Sequence, residues 1–384
     1  MKFLLLFCIL VLLCGCAATP ESTAESTPSS LPTEEPTTVP TEAPTTEATI
    51  PPDPLQLLLE SMTLEERVGQ LFLARCNSPT AVEDAQKYHL GGYVLFGIDF
   101  EGKDPDTVRA NISAYQEAAK IPLLIAVDEE GGTVTRVSRY SQFRSSNFPS
   151  PRNLYAQGGL DLIDATEAEK CQLLSSLGIN VNLGPVCDIS TQPGAILYQR
   201  SLGQDPQITS EFITRTVQVM AEHRIGSVLK HFPGYGNNAD THVQIAYDNR
   251  SLDTLENCDL IPFQAGIDAG ADAIMVAHTI VQSIDPDTPA SLSPAVHQYL
   301  RQEMLYDGVI TTDDLVMDAI TKQYGAGEAA VLAVLAGNDV LCCTEYAVQY
   351  QAVLEAVLTG RIDFYDLNDA VMRILRWKQE LGLI

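Results

Sequence analysis

The sequence predicts an α/β fold, a single (β/α)8 barrel of the TIM type. Three observations carry this reading. From Leu55 onward eight short apolar runs recur between turn signals, as parallel strands buried on both faces should. Amphipathic, helix-like stretches separate the runs. Polar residues gather where the runs end, as they would at the C-terminal mouth of a barrel. A doubly wound open sheet shares the same alternation, because pattern alone does not prove closure.

Two segments precede the barrel. Lys2 leads an apolar run from Phe3 to Leu13 that is too short to span a bilayer and has the form of a secretory signal. It closes on Leu13-Cys14-Gly15-Cys16, which resembles a bacterial lipoprotein box. The resemblance implies that residues 1–16 are a signal and that Cys16 is acylated, anchoring the protein to the extracytoplasmic face of the cell membrane. A plain signal peptide with an incidental Cys16 is the alternative. Residues 17–53 hold eight Pro, ten Thr and seven acids with no Lys or Arg. Such a stretch cannot bury enough apolar area to order itself. In extended form it reaches on the order of 100 Å, enough for a tether.

Residues 54–384 are expected to form the barrel. The runs are Val68–Leu73, Gly92–Phe96, Leu123–Val127, Ile179–Leu183, Ser227–Leu229 leading into Lys230, Ala273–Ala277, Val309–Thr311 and Val340–Cys342. Between them, Phe263 and Ile267 share a helical face that Gly270 ends, and Leu174 and Leu177 precede Gly178 in the same way. The last helix places Leu367, Val371, Ile374, Leu375 and Leu381 on one face, with Trp377 off the stripe. Nothing in the sequence suggests a second domain, so every catalytic group is expected to come from the barrel.

Charge and cysteine usage narrow the function. With 23 Lys+Arg against 50 Asp+Glu the net charge is −27, which excludes a bare nucleic-acid binder. It also excludes bulk attraction to an acidic polymer. Of nine cysteines, the six beyond Cys16 lack zinc-like spacing; most read as small core residues, and no disulfide is expected.

The strand ends carry Asp128, Glu129 and Glu130 after the third run, then Asp188 and Arg200 after the fourth. Lys230 and His231 follow the fifth, His278 the sixth, and Thr312, Asp313 and Asp314 the seventh. Helix caps would explain one or two of these, not six strand ends, so the pattern favours an enzyme. His89, His223 and His297 fall elsewhere and read as structural.

The loop after the fifth run reads Lys230-His231-Phe232-Pro233-Gly234-Tyr235-Gly236, followed by Asp240-Thr241-His242. Here the sequence resembles glycoside hydrolase family 3, in particular its bacterial β-N-acetylglucosaminidase branch. Supporting stretches are Gly69-Gln70-Leu71-Phe72, Val127-Asp128-Glu129-Glu130-Gly131-Gly132, Arg200-Ser201-Leu202-Gly203 and Thr312-Asp313-Asp314-Leu315. The chain departs from the branch at Thr133, where arginine is usual, and at Tyr235, where histidine is more frequent. Its stretch from Gly236 to Asp240 is also shorter.

The resemblance implies a retaining, exo-acting β-N-acetylglucosaminidase that releases terminal N-acetylglucosamine from cell-wall-derived glycans or muropeptides. Retention requires a carboxylate beneath the anomeric carbon and a proton donor above it. By resemblance the nucleophile is Asp313, kept ionised by Lys230, while Asp314 orients neighbours or caps a helix. His242 is the proton donor and then the base, with Asp240 holding its ring. Two residues apart in an extended segment, their side chains leave on the same face. Asp128, Arg136, Arg200, Lys230 and His231 surround the sugar, although Lys230 and Arg200 could instead be ion-paired to Asp188 or Asp128 for structure alone. His278 is assigned only to the pocket wall. A neutral base does not repel an anionic acceptor, so phosphate is expected to compete with water.

No cofactor and no metal are expected. There is no nucleotide-phosphate loop, and Lys230 would oppose a cation beside His231, His242, Asp240 and Asp313. The expected partners are an N-acetylglucosamine-containing glycan and, through the lipid, the membrane; the protein is expected to act as a monomer. Two alternatives stay open. One is a barrel retained as a non-catalytic carbohydrate-binding lipoprotein, the other a family 3 β-glucosidase or β-xylosidase.

Overall fold

The computed structural model describes residues 53–236 and 246–384. Cys16, Asp240 and His242 lie outside the described residues. Eight parallel strands form one sheet: β1 (Phe72–Arg75), β2 (Gly92–Leu95), β3 (Leu124–Val127), β4 (Val181–Asn182), β5 (Gly226–Phe232), β6 (Ala273–Val276), β7 (Val309–Thr312) and β8 (Leu341–Cys343). Neighbours follow chain order from β1 to β7, and β8 lies beside β1 in the register Phe72 to Leu341. A parallel bridge between Thr311 and Val340 closes the ring, with Thr312 N donating to Val340 O at 3.2 Å and Val340 N to Ile310 O at 3.1 Å. A first strand paired with the last excludes the open doubly wound sheet.

The first strand starts later than its apolar run predicts. Val68 belongs to a helix, Leu64–Gln70. Thr63 and Glu66 form a reciprocal cap there: the Thr63 hydroxyl accepts from Glu66 N at 3.2 Å, and Glu66 Oε2 accepts from Thr63 N at 3.0 Å. A capping box satisfies two orphan helix donors and outweighs the strand preference of one valine. β4 is shorter than predicted, and β5 extends through Lys230 and His231 to Phe232.

The helices pack around the ring. Phe263, on the helix Leu260–Asp268, meets Phe232 edge to face, with centroids 5.2 Å apart; such a pair contributes about 1 kcal/mol beyond its buried area. The last helix, Phe364–Glu380, buries Leu367, Val371, Ile374 and Leu375. Trp377 joins that same core rather than leaving it. A Cβ at Gly226 would come within 3.0 Å of the Trp377 ring, so β5 starts on a glycine because the indole closes the barrel floor there. Cys76, Cys171, Cys187, Cys342 and Cys343 are buried free thiols, and Cys258 is half-buried. His89 and His223 cap helix ends, while His297 is buried with Nδ1 2.8 Å from Ser293 O.

Candidate active site

At the C-terminal ends of the strands lies a cavity of about 540 Å³, lined in part by Asp128, Arg136, Arg200, Lys230, His231 and Asp313. These are six of the residues predicted to form the site, delivered by β3, β5, β7 and the loops after β3 and β4. All eight strands start from one end of the ring, so their terminal polar residues converge across its mouth.

One side of the cavity is a charged clamp. The Lys230 ammonium donates to Asp128 Oδ1 at 2.7 Å and to Glu130 Oε1 at 2.7 Å. Arg200 grips Glu130 in a fork, Nε to Oε2 at 2.9 Å and Nη2 to Oε1 at 2.7 Å, the bidentate geometry that suits guanidinium and carboxylate. The Arg200 Nη2 atom also lies 3.2 Å from His231 Nε2. Arg136 approaches Asp128 at 3.6 Å and stands over the Phe96 ring. Burial raises the Glu130 pKa, but Lys230 and Arg200 outweigh it and hold the carboxyl well below the usual range. Burial lowers the Lys230 pKa, and Asp128 and Glu130 more than restore it, so the ammonium stays charged.

Glu130 is the hub of this clamp, and the sequence reading assigned it no role. Arg200 pairs with Glu130, not with Asp188 or Asp128. Asp128 and Glu130 stand two residues apart at a strand end, a spacing that puts both on one face; that spacing was the available signal. Glu129, between them, turns away. It accepts from Arg136 N at 2.8 Å and Val137 N at 2.7 Å and meets the Ser138 hydroxyl, fixing the loop that carries Arg136.

Asp188 serves a different partner from the one expected. Its Oδ2 lies 2.7 Å from His231 Nδ1 and accepts from His231 N at 2.9 Å, while Oδ1 accepts from Tyr235 N at 2.6 Å. One carboxylate therefore sets the His231 ring and the start of the Pro-Gly-Tyr-Gly turn. Gly234 has φ +112°, and a Cβ there would strike Asp259 at 2.5 Å, so the turn requires glycine. Arg250 clasps its root, donating to Gly234 O at 3.1 Å, Asp248 Oδ2 at 2.6 Å and Asp259 Oδ2 at 2.6 Å.

Across the cavity stands Asp313. Its Oδ1 accepts from Asp314 N at 2.8 Å. Burial raises its pKa, but His278, His231, the Asp314 N–H and Lys230 outweigh it, and the net shift is downward. Lys230, the expected cause, stands behind both histidines. Burial raises the Asp314 pKa. This second carboxylate accepts from the Thr344 hydroxyl at 2.7 Å and Val316 N at 3.1 Å, so it ties the loop after β7 to that after β8. His278 Nε2 lies 3.0 Å from Asp314 O and Nδ1 lies 2.7 Å from Ser291 Oγ.

A cavity of this size, with fixed donors and acceptors on one side and an ionised carboxylate on the other, can hold one sugar ring and present its anomeric carbon for attack. The class so defined is the glycoside hydrolases. The chain belongs to glycoside hydrolase family 3: the family model described as glycosyl hydrolase family 3 N terminal domain matches residues 63–377. A β-hexosaminidase of Stenotrophomonas maltophilia is 37% identical over 292 residues, covering 71% of this chain and 84% of that protein. A β-hexosaminidase of Xanthomonas campestris pv. campestris is 36% identical over 259 residues, covering 66% and 76%. Among solved structures, a family 3 β-N-acetylglucosaminidase from Paenibacillus has a TM-score of 0.80 at 33% identity, over 84% of this chain. This chain spans 63% of that Paenibacillus chain. The β-N-acetylhexosaminidase of Beutenbergia cavernae has a TM-score of 0.72 at 27% identity, over 83% of this chain and 99% of that one.

Proposed function

We propose that this chain is a retaining, exo-acting β-N-acetylglucosaminidase acting on cell-wall-derived glycans or muropeptides. The observation that carries the reading is the ionised Asp313 facing the clamp built on Glu130 and Lys230. Relatives named β-hexosaminidase support the choice of sugar. The clamp binds the hydroxyls of the terminal sugar; Asp128 and His231 offer acceptors and donors, held in place by Lys230 and Arg200. The Asp313 carboxylate attacks the anomeric carbon as the glycosidic C–O bond breaks. Protonated His242, held by Asp240, gives its proton to the leaving oxygen. Neutral His242 then takes a proton from water, whose oxygen displaces Asp313 and releases the sugar with its configuration retained. The Asp240 and His242 roles rest on the resemblance of the Asp-x-His segment after the Pro-Gly-Tyr-Gly turn to that of the family 3 β-N-acetylglucosaminidase branch.

The same reading divides the chain into a signal (1–16), a tether (17–53) and a catalytic barrel (54–384), held at the extracytoplasmic face of the membrane by lipid on Cys16. Palmitate labelling that persists in a Cys16→Ser variant would remove the anchor from it.

The deciding experiment is hydrolysis of an aryl N-acetyl-β-glucosaminide by the full chain, beside Asp313→Asn and His242→Ala. Turnover should fall on the order of 10⁴-fold or more in the first and on the order of 10²-fold or more in the second. Turnover of only the aryl β-glucoside would keep the family and change the sugar. Turnover of neither, with sugar still bound, would make the barrel a binding protein.

A further inference from the structure

The connection from β4 to the helix Pro206–Glu222 spans residues 183–205 and contains no helix or strand. It delivers two residues of the site, Asp188 and Arg200, on either side of a tip, residues 191–194, that is exposed. A long irregular loop does not by itself hold a side chain to hydrogen-bonding precision. Yet Arg200 meets Glu130 through a two-bond fork. Asp188 has its own anchors in His231 and Tyr235. The arm that carries Arg200 takes its anchor from another element.

That anchor is Arg152. Ser150 caps the helix that Pro151 opens, its hydroxyl accepting from Asn153 N at 3.3 Å, so Arg152 projects from a well-defined first turn. Its Nε donates to Tyr198 O at 2.9 Å, and its Nη2 donates to Ser190 O at 2.7 Å and to Ser201 Oγ at 3.3 Å. The guanidinium also lies over the Tyr198 ring, 4.0 Å from its centroid, a favourable cation–π contact. Ser201 Oγ in turn donates to Ser190 O at 3.1 Å. Both arms of the loop therefore meet at one guanidinium. Gly203 leaves the room for it: its φ is +76°, and a Cβ there would stand 2.0 Å from Arg152 Cζ. The stretch Arg200-Ser201-Leu202-Gly203 is thus a socket, in which Ser201 supplies an acceptor and Gly203 the space.

Helix stability explains Arg152 poorly, because a cation in the first turn opposes the helix dipole. All three of its acceptors are neutral, in a chain with 50 acids against 23 bases. What the position uses is the planar fork, which reaches several acceptors at once in fixed geometry.

We propose that Arg152 is a positioning residue for substrate binding. By tying Ser190, Tyr198 and Ser201 together it sets the backbone from which Arg200 reaches Glu130, and so the clamp that receives the terminal sugar. The inference rests on the glycosidase reading above and adds to it a residue that does not line the catalytic cavity.

The test is a double-mutant cycle of the full chain, Arg152→Ala, Arg200→Ala and the pair, on whichever aryl glycoside the wild type cleaves. Arg152→Ala should raise KM on the order of tenfold and change kcat less than about threefold, because the Asp313 side of the cavity keeps its own contacts. With Arg200 already removed, the same change should alter KM less than about twofold. A merely stabilising Arg152 would act alike in both backgrounds. An unchanged KM, a loss confined to kcat, or an equal rise in KM in both backgrounds overturns the inference. Where Arg152→Ala does not fold, Arg152→Lys takes its place: it keeps the charge and the stem but not the fork, and the same outcomes decide. Should wild type cleave no aryl glycoside, the glycosidase reading fails by itself. Arg152 is then judged by calorimetric affinity for N-acetylglucosamine in the same proteins, and equal affinities of wild type and the Arg152 variant overturn the inference.

Discussion

Lys378 should make this protein more stable as pH rises from neutral. It lies on the last helix in the middle of the apolar stripe and is fully buried. Its ammonium donates to Gln70 Oε1 at 2.6 Å, and Gln70 in turn donates to His89 O at 3.0 Å. Among the described residues no carboxylate pairs with it. Burial alone brings its pKa down from 10.5 to about 7. Between those values the unfolded chain binds a proton that the folded chain has released, so stability rises with pH across that window; below about 7 both states are protonated and the burial penalty stands in full. The whole gap corresponds to about 5 kcal/mol, of which about 3 kcal/mol is recovered between roughly pH 6.5 and 9.5. Lys378→Met keeps the apolar stem and removes the charge, but leaves Gln70 Oε1 without its donor, at about 1–3 kcal/mol. The variant should therefore be more stable than wild type by about 2–4 kcal/mol near pH 6.5, with the difference shrinking to near zero or reversing near pH 9.5. Urea denaturation of both proteins at the two pH values measures this. Buried thiols such as Cys76, pushed up by burial from 9.0 to about 12, act in the opposite direction only from about pH 9 upward and cancel in the difference. Parallel stability curves for wild type and variant would refute a buried, ionisable Lys378.

Other expectations concern the site. Glu130→Gln leaves Lys230 and Arg200 facing each other with less compensation; denaturation should show a loss of about 3–5 kcal/mol, and KM for the aryl glycoside should rise. Because the folded Glu130 pKa is depressed, its contribution is present above the ordinary carboxylate range and should fade as pH falls through it, a dependence the Gln variant lacks. Arg250→Ala frees the root of the turn that leads to the Asp240–His242 segment; kcat should fall on the order of tenfold to a hundredfold with KM little changed, and an unchanged kcat would show that the clasp does not serve that segment. Product analysis in phosphate buffer should detect a sugar 1-phosphate beside free sugar, and free sugar alone at any phosphate level would rule out phosphate as an acceptor.

Much of this protein was determined locally. The eight apolar runs, the polar residues at their ends and the glycines that stop the helices at Gly178 and Gly270 each follow from neighbours along the chain. A strand buried on both faces and a helix with one apolar stripe impose their own periodicity. The residues Asp128, Arg200, Lys230, His231 and Asp313 were therefore legible as a set. Even the misplaced first strand had a local cause, since the Thr63–Glu66 cap was written in the sequence.

What tertiary structure alone decided was pairing. Closure of β8 on β1 joins residues some 270 positions apart, and no pattern within a run encodes it. The choice of Glu130 over Asp188 as the partner of Arg200, and of His231 as the partner of Asp188, depends on angstrom-scale distances between loops from different strands. So does the place of Trp377 beneath Gly226. Charge and polarity are properties of a residue, but an ion pair is a property of two, and the second is chosen by how the barrel closes.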